Sequence, residues 1–186
     1  MIHLAACLVL TICLVQRSEP LAVEPYRLEL QSVGECEDLE EPLIDTDLYV
    51  VTDEDGKSRM SGYFTISTEI HGIKTKVSAA EWGNGGWQQQ SIMYDVDDWC
   101  GSEVSKEFEK ATNVTLGPDC LLPMGTFKLD DIDADLYLHA AVGDYLKTGR
   151  YLATVTVTDE KNEVVTCLLV DVKLYPDESQ SPAELP

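Results

Sequence analysis

The stretch that most constrains the fold is "GRYLATVTVTDEKNEVVTCLLVDVKLYP", residues 149 to 176. From Tyr151 to Thr158 it alternates, with Thr154, Thr156 and Thr158 on one face and Ala153, Val155 and Val157 on the other. A period of two marks a half-buried strand. A charged turn follows, and then an almost continuously apolar run from Val164 to Leu174 with Cys167 in its middle. The pair forms a hairpin that covers the interior of a sheet structure. Cys167 therefore sits in a central strand and ties it to a distant part of the chain.

The compartment decides how that cysteine is read. The N-terminus "MIHLAACLVLTICLVQRSEPLAVEP" carries an apolar run from Leu4 to Val15 and turns polar at Gln16. A bilayer core needs about 20 apolar residues as a helix, so this run is too short to span one. It has the length of a signal-peptide core, although His3 is all that stands for a basic n-region. A buried N-terminal helix is the competing reading, and nothing amphipathic follows to support it. A signal peptide over 1–18 is expected, with cleavage between residues 18 and 22. The mature protein is then secreted and extracellular, with a domain over 24–176 and a disordered acidic tail over 177–186.

Export removes Cys7 and Cys13 and leaves Cys36, Cys100, Cys120 and Cys167 in an oxidising route. An even number there implies disulfides, and four cysteines admit three pairings that spacing does not separate. Zinc is a poor alternative, since no CxxC pair exists and His71 and His139 lie far from every cysteine in sequence. Asn113-Val114-Thr115 is a glycosylation sequon and fits an exposed loop of an exported chain.

The remaining sequence is mostly strand-like. Leu48 to Thr52 and Arg59 to Ile70 flank an Asp55-Gly56 turn. Met60, Gly62, Phe64, Ile66, Thr68 and Ile70 share one face of the returning strand. Ile73, Thr75, Val77 and Ala79 point inward in the next, and a further strand runs near Gln88 to Val96 after the "GNGG" turn. One stretch departs from this period: in "CGSEVSKEFEKATN", Ser102 caps a short helix whose Val104, Phe108 and Ala111 share a face. Seven or eight short strands with regular turns predict an all-β, immunoglobulin-like antiparallel sandwich. About 165 mature residues suffice for one such domain. An immunoglobulin adhesion domain is excluded by its own pattern. Tyr49 stands where the core tryptophan belongs, and Asp98 where the tyrosine before the second cysteine belongs.

The C-terminal half matches something else. "CLLPMGTFKL", followed by "YLKTGRYLATVTVTDEKNEVVTCLLVDVKL", resembles the ganglioside activator proteins and their insect relatives in the ML lipid-recognition superfamily. Cys120, Pro123, Gly125 and Phe127 match a cysteine and proline before a Gly-x-aromatic strand. Thr148, Gly149 and Tyr151 match the opening of the last hairpin, and Cys167 its closing cysteine. "SVGECEDLEEPLIDTDLYV" resembles the family's start, where a cysteine shortly precedes the first long strand. Two disulfides are a departure, since the extra cysteine before the position of Cys120 is missing. Size, signal peptide and tryptophan-rich middle look most like the insect secreted chemosensory proteins of the CheA and CheB type.

The resemblance implies a sandwich opened into a lipid-binding cup, with Cys36 joined to Cys167 and Cys100 joined to Cys120. Residues 101 to 119 hold the helix-like segment, the sequon and Gly117-Pro118, and so look like an excursion fastened at its base. Candidate cup liners are Phe64, Ile66, Trp87, Ile92, Leu136 and Leu138, and ordinary core is the alternative for each. The segment 134–146 would form a rim.

Function follows as an expectation. The net charge of −21 disfavours nucleic acid and anionic membranes as partners at neutral pH. No G-x-S-x-G, H-E-x-x-H or phosphate-binding glycine loop is present. His71 and His139 read as surface or satisfied histidines. Asp130, Asp131, Asp133 and Asp135 lack the glycine and glutamate of a calcium loop. No enzyme, cofactor or metal is expected. The expected protein is a monomeric carrier or presenter of a hydrophobic ligand or lipid in insect chemical sensing, pheromones included, with a receptor or membrane surface as a transient partner. A lipid-extracting cofactor of an acid hydrolase and a ligand-free extracellular interaction domain are the alternatives. Tissue expression separates the first two, and native mass spectrometry separates both from the third.

Overall fold

Alternation along the chain becomes two antiparallel sheets. The computed structural model describes residues 26–54, 57–88, 92–96, 98–117, 120–133 and 147–176. The expected signal peptide and tail fall outside these residues, as do Asp135, Leu136, Leu138 and His139. The elements in order are β1 (Tyr26–Glu35), β2 (Ile44–Thr52), β3 (Ser58–Ile66), β4 (Lys74–Gly83), β5 (Gly86–Trp87) and β6 (Ile92–Val96). The helix α1 (Glu103–Thr112), β7 (Gly125–Asp133), β8 (Gly149–Thr158) and β9 (Val164–Pro176) follow. A six-stranded sheet runs β1-β9-β8-β4, with β5 and β6 both paired to β4, and a three-stranded sheet runs β2-β3-β7. Among the described residues the fold is thus an all-β, immunoglobulin-like sandwich with one short helix.

The β8–β9 hairpin is central to the larger sheet, as its apolar return strand requires. It pairs Thr158 with Val164 and Gly149 with Leu174. β9 carries β1 on its other edge, with Cys36 N–H donating to the Cys167 carbonyl at 3.0 Å just beyond the ladder. The structure joins Cys36 to Cys167 across a separation of 131 residues and Cys100 to Cys120 across 20. The second bond closes a loop that contains α1.

The strand starting at Arg59 is shorter than its sequence pattern suggests. β3 ends at Ile66, followed by one more bond in the same register, the Ser67 N–H to the Leu43 carbonyl at 2.9 Å, with the Ser67 hydroxyl donating to that carbonyl at 3.1 Å. Ile70 then pairs with Leu122 instead of continuing the hairpin. Gly62 sits inside β3 with φ +144°, and a Cβ there would strike the Asp47 carbonyl of β2. Only glycine takes this backbone without strain. Of the strand expected near 88–96, Ile92–Val96 is observed as β6, and the short β5 precedes it, both paired to β4.

Two apolar clusters hold the layers together. One is built by Leu28, Leu30, Val77, Ala79, Tyr151, Ala153, Val172 and Leu174 of the larger sheet, with Val50 and Met60 packed on it from the smaller. The other joins Ile44, Phe64 and Ile66 of the smaller sheet to Val165 of the larger, to Ile73 just before β4, and to Trp99, Val114 and Leu122 around the helix. Ile66 and Val165 are fully buried, each stabilising the fold by about 1.5–3 kcal/mol relative to an exposed position.

Candidate functional site

The second cluster does not fill its space. Between the sheets lies a cavity of about 240 Å³. β2 supplies Ile44, Thr46 and Leu48, every second residue, and β3 supplies Met60 and Phe64. β7 adds Leu129 and Ile132, β8 adds Val155 and Val157, and β9 adds Thr166 and Leu168. Ile73, Thr75, Trp99, Phe108 and Leu122 complete the wall. No lining residue carries an ionisable side chain. Such a wall offers burial to an apolar molecule and no ionisable side chain to exchange a proton with it.

The helix end of the cavity is aromatic. The Phe108 ring lies 5.4 Å from Phe64 and 5.4 Å from Trp99, and Phe127 stacks on the far side of Phe64 at 5.3 Å. Phe108 is presented by α1, whose start is fixed by the Ser102 hydroxyl accepting the Ser105 N–H at 3.2 Å. Buried Ser105 in turn donates to the carbonyls of Cys100 and Ser102. The 100–120 disulfide thus anchors the helix that carries part of the wall.

β9 alternates regularly down to Thr166, and a bulge then brings a second neighbour inward. Val157 pairs with Thr166 and Thr158 with Val164, so Val165 is an extra residue. A bulge of this kind turns two successive side chains towards one side, and both Val165 and Thr166 are buried. Thr75, Val157 and Thr166 then form one cross-strand row on the cavity wall.

Of the residues expected to line a cup, Phe64 lines the cavity. Ile66 lies in the adjoining core and is 1% exposed. Trp87 is on the outer face of the larger sheet, edge-on to Trp82 with 5.0 Å between rings and beneath the Arg150 guanidinium at 5.4 Å. That guanidinium donates from Nε and Nη2 to the Asp171 carboxylate at 3.0 and 2.6 Å, which holds its pKa above the ordinary value. Trp87 follows this outer row because the β4–β5 pairing sets it opposite Trp82, and Trp82 flanks Arg150. Ile92 opens β6 opposite Ala79. Leu136 and Leu138 lie outside the described residues.

Asn113 is exposed at the end of α1, in left-handed backbone at φ 54°. His71 is exposed and its carbonyl accepts the Glu160 N–H at 2.9 Å. Asp130 and Asp131 are held by Lys128 and Arg59 respectively. Sequence reasoning did not single out Trp99, Leu122, Leu129, Ile132 or Thr166 as liners. The hairpin alternation pointed to the face of Val155 and Val157, but Trp99 lies in a turn with no period to follow.

No family model matches the chain, and no curated protein matches it in sequence. Among solved structures it is similar to chicken MD-1 complexed with lipid IVa, at 12% identity over 81% of this chain and 99% of that one, with a TM-score of 0.41. It is also similar to a Niemann-Pick type C2 protein from the Japanese carpenter ant, at 12% identity over 76% and 96%, with a TM-score of 0.33. The two-sheet architecture rests on the strand pairing itself.

Proposed function

We propose that this protein is an exported, non-enzymatic carrier of a small hydrophobic ligand, in the setting of insect chemical sensing. The observation that carries the reading is the cavity of about 240 Å³ whose lining has no ionisable group. At about 30 Å³ per water-sized group the space holds at least about eight chain-carbon-sized groups, the scale of one medium-length tail. At about 25 cal/mol per Å² of apolar surface removed from water, one chain can be held without any catalytic group. Phe64, Phe108 and Trp99 are the proposed aromatic contacts. The carrier reading is supported by the lipid-recognition-like motifs around Cys120, Thr148–Tyr151 and Cys167, and the chemosensory setting by the size, expected signal peptide and tryptophan-rich middle of the chain.

The test is displacement of an uncharged apolar fluorescent probe, N-phenyl-1-naphthylamine, from secreted protein, with lipid-ester and glycoside hydrolysis assayed on the same sample. Probe binding, displacement by single-chain compounds and no hydrolysis are expected. A protein that neither binds the probe nor releases any ligand on organic extraction is a filled interaction domain instead.

A further inference from the structure

The wall is apolar with one exception that the ligand must answer. Three threonines line the cavity: Thr46, Thr75 and Thr166. Thr46 spends its hydroxyl on the Glu35 carboxylate at 2.8 Å. Neither Thr75 nor Thr166 has a side-chain hydrogen bond to any described residue. Thr166 is 4% exposed, so its hydroxyl has little access to bulk water. Buried polar groups in folded proteins are nearly always bonded, and leaving one unbonded costs free energy. Thr166 stands on the inward row of β9, in phase with Leu168 and Val172, and this places it on the cavity wall. A valine would have filled the same β-branched shape without the cost.

We infer that the ligand is a single-chain molecule bearing a neutral oxygen, an alcohol or ester, and that this oxygen is bonded by Thr166. Thr75, two strands away in the same row, offers a second donor to a molecule with another oxygen along its chain. A carboxylate is disfavoured. It would enter a space with no cation on its wall, and a buried charge without a partner is far more costly than a buried hydroxyl. The inference rests on the carrier reading and narrows its cargo.

Decan-1-ol, methyl decanoate, decane and decanoate, each titrated against the bound fluorescent probe, test it on wild type and on Thr166→Val. The alcohol-to-decane affinity ratio is expected to fall about tenfold in Thr166→Val, the size of one hydrogen bond. Ligand-free Thr166→Val should melt no lower than wild type, because an unbonded hydroxyl is lost. Decanoate should bind more tightly at about pH 4 than near pH 7, as its carboxyl gains a proton. An unchanged ratio, or decanoate binding near pH 7 as tightly as the alcohol, overturns the inference. If decane binds while the ratio stays fixed, only the oxygen contact falls. If none of the four displaces the probe, the carrier reading falls with it.

Discussion

Tyr151 shows how one residue sets a pH limit. It opens β8 on the inner face and is 3% exposed, and its hydroxyl donates to the Lys147 carbonyl at 3.0 Å. Burial pushes its pKa above the ordinary tyrosine value and the Glu81 charge adds to the rise. The folded chain therefore keeps the proton where the unfolded chain would release it. The stability contributed is fully present below about pH 10 and is lost as pH rises through the folded value. Chemical denaturation on either side of about pH 10 should show a steeper loss for wild type than for Tyr151→Phe. At neutral pH the phenylalanine should cost about 0.5–1.5 kcal/mol, since the hydrogen bond to Lys147 is gone. Equal alkaline slopes would assign the loss to other groups.

At the scale of elements, the two disulfides do different things. Cys36–Cys167 fastens the end of edge strand β1 to β9, with which it already shares a ladder. Cys100–Cys120 fastens the base of the only described helix, which has no ladder to hold it. On the chain-entropy estimate, the separation of 131 residues contributes roughly 5 kcal/mol and that of 20 roughly 3 kcal/mol. Paired serine replacement at Cys36 and Cys167 should therefore lower denaturation stability more than replacement at Cys100 and Cys120. Probe binding should respond in the opposite order, because only the second pair anchors Phe108 beside the cavity. A loss of binding confined to the first pair would contradict this division.

For the whole molecule the controlling quantity is charge. A formal −21 makes the surface repel anionic bilayers near neutral pH. Carboxylates begin to gain protons as pH falls towards about 5, and the repulsion weakens. If ligand is handed over at a membrane, co-flotation with phosphatidylserine vesicles should be stronger near pH 5 than near pH 7. Flotation that does not change between those values would remove membrane docking from the transfer step.

Local features were legible in the sequence where a period or a cap operates over a few residues. The alternation of β8, the apolar return of β9 and the Ser102 cap all follow from local backbone geometry, and each is found in place. The all-β architecture follows from those periods. What the periods could not show was where two sheets fail to meet. Inward-facing residues share one pattern whether they pack or border a void, so Ile66 and Phe64, two positions apart on β3, look alike in sequence. In the fold one is core and the other cavity wall. Trp87 looked like a liner because it is large and apolar, and its pairing with Trp82 sends it outside. Thr166 did not stand out because its strand is apolar on both faces, and Trp99 because it lies in a turn. The sequence alone determined the strands and their faces, because those depend on neighbours along the chain. Tertiary structure alone decided the cavity, because a void is set by how far apart residues distant in sequence come to rest.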